Sequence, residues 1–410
     1  MIKPERLAAD FAALAAITAP GGGINRLAFT DSDWQGRAYF MQEMEKAGLA
    51  LHEDAFGNVI GHLEGRDDSL PAVMLGSHGD SVPNGGNYDG TLGIVGAIET
   101  VRSMKDDGFR PLHPLEVVIF MCEESSRFSA ATLGSRAMRG RISREDISRL
   151  RDHQGNTLYD VLKARGLQPD ALETARYTKE LKAFLELHIE QGRVLEHERL
   201  SIGIVTGIAA PSRFSCLLHG TADHSGATPM NLRADASCAA AEIILAVEQE
   251  ARAAKRTPVV GTVGIVEVQP NVMNVIPGKV RLGIDLRSTS SAARDNVEQI
   301  IRARIEEITL RRGISCEIAL ISKETPAHMD ASLIQCLAKI ADDLHLPHRM
   351  MPSGAGHDAM HWADYAPTAM IFIPCRDGIS HNAAEYASLS QITAGVRLLS
   401  TAVRHLTAAV

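Results

Sequence analysis

Four short apolar runs, at residues 72–76, 115–122, 183–188 and 368–375, pass directly into polar, ionisable residues. This pattern constrains the fold more than any other feature of the chain. Runs of this length and composition read as buried strands. Stretches with helical spacing lie between them, among them 93–104 and 392–406. Strands alternating with helices predict an α/β sheet covered by helices. The polar residues after the four runs are Ser77-His78-Gly79-Asp80, Glu123-Glu124, Glu190-Gln191, and Arg376 through His381. Open α/β sheets carry their sites at the carboxyl ends of strands, so four such ends point to one shared site.

The middle of the chain has a different rhythm. Residues 213–220, 259–268, 279–286 and 316–322 read as strands, and 234–254 and 292–311 as helices. The order β-α-β-β-α-β is the ferredoxin-like split arrangement. A chain of 410 residues is too long for one ordinary core. The expectation is a larger domain of residues 1–209 and 324–410, with residues 210–323 inserted as a smaller one.

Charge and composition exclude several classes. Net charge is -8 and the basic residues are scattered, so a nucleic-acid partner is not expected. No run of 18 apolar residues occurs, so no membrane span is expected. The first twenty residues have apolar spacing but contain Glu5, Arg6 and Asp10, which predicts an amphipathic helix and not a signal peptide. The six cysteines form no C-x-x-C pair. They read as reduced thiols, with a cytoplasmic location expected.

The strand ends carry the chemistry. The glycine-rich segment between His78 and Asp89 lets the two converge, and imidazole and carboxylate are ordinary ligands for a divalent ion. Asp80, two residues after His78, suits a supporting role in which its carboxylate orients the imidazole. Glu123 and Glu124 are adjacent carboxylates at a buried strand end and need a cation or a proton to compensate. His188 and His381 follow the other two strands. Any one of the 16 histidines taken singly reads as a surface or satisfied core residue, and Asp89 as a turn residue. The coincidence of five metal-competent residues at four strand ends, or in an adjoining loop, reverses that reading.

These residues sit in motifs that resemble the di-metal peptidase and amidohydrolase family, in the branch of N-carbamoyl-L-amino-acid hydrolases, allantoate amidohydrolases and β-ureidopropionases. The motifs are Gly-Ser-His-Gly-Asp-Ser-Val from Gly76, Gly-Gly-Asn-Tyr-Asp-Gly from Gly85, Glu-Glu-Ser-Ser-Arg-Phe from Glu123 and Glu-Leu-His-Ile-Glu-Gln-Gly from Glu186. Asp-His-Ser-Gly-Ala-Thr-Pro-Met from Asp223, Asn-Val-Met-Asn-Val-Ile-Pro from Asn271, Ser-Gly-Ala-Gly-His-Asp-Ala from Ser353 and Gly-Ile-Ser-His-Asn from Gly378 complete the set. Cys122, Ser125 and Ala384 depart from the family pattern, but none of them removes a ligand or the base.

The resemblance implies a metallopeptidase-like catalytic domain with a mixed sheet and a ferredoxin-like lid or dimerisation domain. It implies two divalent ions per chain (Zn, Mn, Co or Ni), with Asp89 bridging them. His78 would share one ion with His188, and Glu124 the other with His381. Glu123 would be the general base. Gln191, Gly354 and Gly356 would line the pocket, and His224, Asn274 and Arg287 would contact substrate from the smaller domain. His224 would reach the other subunit of a homodimer. The implied activity is hydrolysis of a small-molecule ureido or carbamoyl acid, most simply an N-carbamoyl-L-amino acid. Allantoate, β-ureidopropionate or, less readily, a peptide is the alternative. On spacing alone Arg287 reads as an ion-pair partner of Asp285 or Glu267; the resemblance makes it the group that holds the substrate's carboxylate.

Overall fold

The apolar run at 72–76 extends two residues further, as a strand Ala72–His78 in which every residue is buried. In the computed structural model, which describes residues 1–408, it is the third strand in chain order. The strands before the middle of the chain are β1 (Ala50–Glu53), β2 (Val59–Leu63), β3 (Ala72–His78), β4 (Leu115–Phe120), β5 (Leu181–Ile189) and β6 (Ile202–Ile208). The middle holds β7 (Ala210–His219), β8 (Val260–Gln269), β9 (Lys279–Ser288) and β10 (Ser315–Lys323). Last come β11 (Ala327–His328), β12 (His348–Ser353) and β13 (Thr368–Ile373). The chain divides into two units, Met1–Thr206 with His328–Val410, and Gly207–Ala327.

The large sheet is mixed, as expected. Its order is β1-β2-β4-β3-β5-β13-β6-β11, with β12 beside β6. Its centre is parallel: β3 pairs with β4 and β5, and β5 with β13. These four strands are the apolar runs of the sequence, because parallel strands covered on both faces lose their polar alternation. Helices α1 (Pro4–Ala16), α2 (Asp31–Ala47) and the closing helix Leu389–Ala408 gather about α3 (Thr91–Asp106), which packs on β3, β4 and β5. Trp362 is wholly buried and stacks on Phe184 of β5, with ring centroids 5.5 Å apart. Because β3, β4, β5 and β13 run in one direction, their carboxyl ends lie along the same edge.

The second unit contains an antiparallel sheet in the order β10-β7-β9-β8. Alternate residues of its two central strands, Phe214, Cys216 and Leu218 of β7 with Leu282, Ile284 and Leu286 of β9, enter one buried cluster. The helices Ala236–Ala253 and Ser291–Arg311 close that cluster with Ile243, Val247, Ile301 and Ile305. Burying each of these large side chains contributes about 1.5–3 kcal/mol. The intervening positions, including Arg213, Asp285 and Arg287, fall on the opposite face, where Arg213 is the register partner of Asp285.

Among the described residues, no helix is long and apolar enough to cross a membrane.

Candidate metal centre

β3 ends on His78, which is buried. Its Nδ1 lies 3.1 Å from the carbonyl oxygen of Asp80. A carbonyl only accepts, so the ring proton belongs on Nδ1 and Nε2 keeps its lone pair. The Asp80 carboxylate, expected to orient this ring, is the more distant partner at 3.5 Å. Its two oxygens instead accept the backbone amides of Glu123 and Glu124, each at 3.1 Å. One side chain therefore orients the His78 ring with its backbone and ties the ends of β3 and β4 together with its carboxylate. Between β4 and this tie the chain turns through Cys122 at φ 57°.

Asp89 lies just before α3 and is buried. Gly90 follows it at φ +66°, and a Cβ there would sit 2.4 Å from His78 Nε2. Only glycine lets the loop pass this close to the ring. The two oxygens of Asp89 then face different partners. Oδ1 is 3.0 Å from His188 Nε2 and 3.8 Å from His78 Nε2. Oδ2 is 3.1 Å from His381 Nε2, and that nitrogen is 3.2 Å from Glu124 Oε1. His188, at the penultimate position of β5, has its Nδ1 2.9 Å from the carbonyl oxygen of Ile189. It too keeps a lone pair on Nε2.

Two groups of potential ligand atoms result: His78, Asp89 and His188 in one, and Asp89, Glu124 and His381 in the other, each group within 4.8 Å. Both have the imidazole and carboxylate chemistry of a divalent-cation site. A third grouping of Glu186, His188 and His357 is similarly close, but Glu186 is already occupied. Its oxygens accept the Ser77 hydroxyl at 2.7 Å and the Ala359 amide at 2.9 Å. His357 meets Ser353 Oγ at 2.8 Å and packs edge-on against His188, ring centroids 4.5 Å apart. His357 packs on His188, and Glu186 ties Ser77 of β3 to the Ala359 amide.

Carboxylates outnumber fixed positive charges at the site. Burial pushes the Glu123 carboxyl well above the usual carboxylate range; His78 opposes this and Glu124 adds to it. Burial also disfavours the charged form of Asp89, yet His188 and His381 outweigh it and hold that carboxyl well below the usual range. The hydrogen bonds of Asp89 and then Glu124 raise the His381 imidazole to about 10. Carboxylates this close together need positive charge among them, and divalent cations would supply it to the same atoms.

Gln191, expected in the pocket, has a left-handed φ of 56°, as His381 does. Non-glycine residues reach that region at a cost of about 1–3 kcal/mol, and functional sites gather such residues. Its Nε2 donates to Asp89 Oδ2 at 2.9 Å. Gly354 and Gly356 lie in the loop that runs from Ser353 to His357, next to His188. In the second unit, His224 and Val275 form a bridge, and the Ser225 amide donates to the Asn274 carbonyl at 3.0 Å. His224 and Asn274 thus belong to one exposed structure. His224 Nδ1 accepts the amides of Gly226 and Ala227, each at 3.1 Å, which places the ring proton on Nε2. Arg287 is paired with Asp285, the partner its spacing suggests.

The sequence reading passed over Glu186, His357, Ser380 and Glu385. His357 and Ser380 each adjoin a residue it did select, Gly356 and His381, while Glu186 is two residues from His188 and Glu385 four from His381.

A profile of peptidase family M20/M25/M40 matches residues 74–405. An N-carbamoyl-L-amino acid amidohydrolase of Geobacillus stearothermophilus is 40% identical, over 97% of this chain and 97% of that protein. A ureidoglycolate hydrolase of Arabidopsis thaliana is 40% identical, over 93% of this chain and 82% of that protein. The crystal structure of an amidase of the hydantoinase/carbamoylase family from Burkholderia multivorans superposes with a TM-score of 0.93 at 35% identity. It covers 100% of this chain and 98% of that one.

Proposed function

The chain belongs to peptidase family M20/M25/M40 and is a metal-dependent hydrolase of carbon–nitrogen bonds; from that premise we propose that it hydrolyses the carbamoyl group of an N-carbamoyl-L-amino acid, with two divalent ions held by His78, Asp89, Glu124, His188 and His381. The observation that carries this reading is the division of Asp89. One oxygen faces His78 and His188, and the other faces His381, which meets Glu124. A single carboxylate is thereby shared by two groups of ligands.

When bound, divalent ions supply positive charge that lowers the pKa of water towards neutrality and polarises a carbonyl. Glu123 takes the proton of the attacking water and delivers it to the leaving nitrogen. Its Oε2 lies 3.8 Å from His78 Nε2, so the carboxylate faces the first group of ligands. Asp80 fixes the backbone from which Glu123 projects. His224, with its proton on Nε2, is a donor for the oxygen that becomes negative. Arg287 holds the substrate's carboxylate, Asn274 contacts the substrate alongside His224, at the opposite end of the small sheet from Arg287, and Gln191, Gly354 and Gly356 line the pocket.

The smaller unit supports a homodimer as well as a lid. β8 is an edge of its sheet, with Val260 and Val266 exposed, and Met273 beyond it is fully exposed. Open edges with apolar side chains are stable when paired or covered. In the homodimer His224 serves the site of the other subunit.

N-carbamoyl amino acids, ureidoglycolate and allantoate all carry a ureido group on the carbon next to a carboxylate. β-Ureidopropionate has one more methylene between the two. Ammonia release across these compounds, with release of free amino acids from a set of dipeptides followed in parallel, tests the proposal. Highest turnover on N-carbamoyl-L-amino acids is the expected result. Preference for allantoate, ureidoglycolate, β-ureidopropionate or a dipeptide would reassign the substrate.

A further inference from the structure

The loop that carries His381 folds back on the loop that carries Asp89, and the link between them is Glu385. This side chain is buried. Its Oε1 accepts the backbone amides of Tyr88 at 2.9 Å and Asp89 at 3.1 Å. Its Oε2 lies 3.0 Å from the Ser380 hydroxyl, which is also 3.0 Å from Asp89 Oδ2. Glu385 therefore grips the backbone of the shared ligand on one side and, on the other, shares with its carboxylate the single proton of the Ser380 hydroxyl. The loop is shaped to admit this contact. A Cβ at Gly86 would lie 2.1 Å from Glu385 Cδ and Oε1, so any larger residue there would drive the carboxylate out.

From this geometry we infer that Glu385 is a positioning residue, which sets the direction of the Asp89 carboxylate between the two groups of ligands by holding the Tyr88 and Asp89 amides. The inference rests on the two-ion reading of the site. Asp89 can serve both groups only while its carboxylate plane stays between them. Without Glu385 the Asp89 carboxylate would lose that hold on its direction, and the two amides and the Ser380 hydroxyl would lose their buried partner. Hydrogen-bond partners of this kind change metal affinity by about 10–100-fold.

Equilibrium Mn²⁺ binding, followed by the electron paramagnetic resonance of free Mn²⁺, tests this without recourse to turnover. Circular dichroism checks that each variant is folded. Glu385→Ala should weaken Mn²⁺ binding by about 10–100-fold. Glu385→Gln should bind nearly as the wild type does, because its amide oxygen still accepts both backbone amides and its amino group can donate to Ser380. Gly86→Ala, which leaves Glu385 in the chain but denies it room, should copy Glu385→Ala. Added to Glu385→Ala, it should cost little more, since the two changes remove the same contact. The inference fails if Glu385→Ala and Gly86→Ala bind Mn²⁺ like the wild type. It also fails if Glu385→Gln is as weak as Glu385→Ala, since the charge and not the placement would then matter. Absence of binding of both Mn²⁺ and, by metal analysis, Zn²⁺ to the wild-type chain would overturn the two-ion reading itself.

Discussion

Arg287 donates two hydrogen bonds to Asp285, with Nε and Nη2 3.0 Å and 3.2 Å from the two carboxylate oxygens. Asp285 also accepts Arg213 Nε at 2.9 Å from the neighbouring strand. Asp285 thereby fixes the plane of the Arg287 guanidinium through two parallel hydrogen bonds.

That relationship gives the first expectation. Losing one partner of a desolvated charge pair costs about 2–5 kcal/mol, so Arg287→Ala should lose that much in kcat/KM on an N-carbamoyl amino acid. Arg287→Lys should not restore it, because an ammonium lacks the fork. The loss should vanish on the matched substrate amide. Kinetics of both enzymes on both substrates form a double-mutant cycle, and a coupling energy near zero would leave Arg287 as a strand-end partner of Asp285 alone.

The proposed function gives Glu123 and Glu124, neighbours in sequence, different tasks. Glu123→Gln should retain bound metal but lose roughly 10²–10⁴-fold in kcat, the share of a general base. Glu124→Gln should instead weaken metal binding, since its Oε1 is 3.2 Å from His381 Nε2. Metal analysis beside steady-state kinetics separates the two. Normal turnover by metal-loaded Glu123→Gln would move the base elsewhere.

Mixed dimers test the sharing of His224. His224→Ala and Glu123→Gln should each be nearly inactive alone. A dimer of one chain of each should regain activity, because one of its two sites would then be intact. Sedimentation or native mass spectrometry establishes that the mixed dimer has formed. No recovery in that dimer would show that His224 serves its own chain.

The strands that build the site were legible because they are buried on both faces. β3, β4 and β13 are apolar runs without alternation, and every residue in them is buried. β1 is short and largely exposed, and β11 has two residues, so neither leaves a hydrophobic signal. The five metal-competent residues were legible because each follows or ends a readable strand or starts a readable helix. Their supports were not. Tyr88 and Glu385 are 297 positions apart, and a glutamate in a polar loop looks solvated until its partners are known. Asp80 was singled out, but spacing cannot distinguish its carbonyl from its carboxylate. The structure gives the ring to the first and the Glu123 and Glu124 amides to the second. The Arg287–Asp285 pair was readable because residues two apart on a strand share a face.

The central claim is that Asp89 joins two cation sites on which hydrolysis depends. The most direct measurement strips the wild-type enzyme with a chelator, reloads it with Mn²⁺ or Zn²⁺, and follows bound metal and ammonia release from an N-carbamoyl-L-amino acid together. The expected result is loss of activity on stripping, recovery on reloading, and a limit of about two ions per chain. Full activity in protein shown to be free of metal would contradict the account.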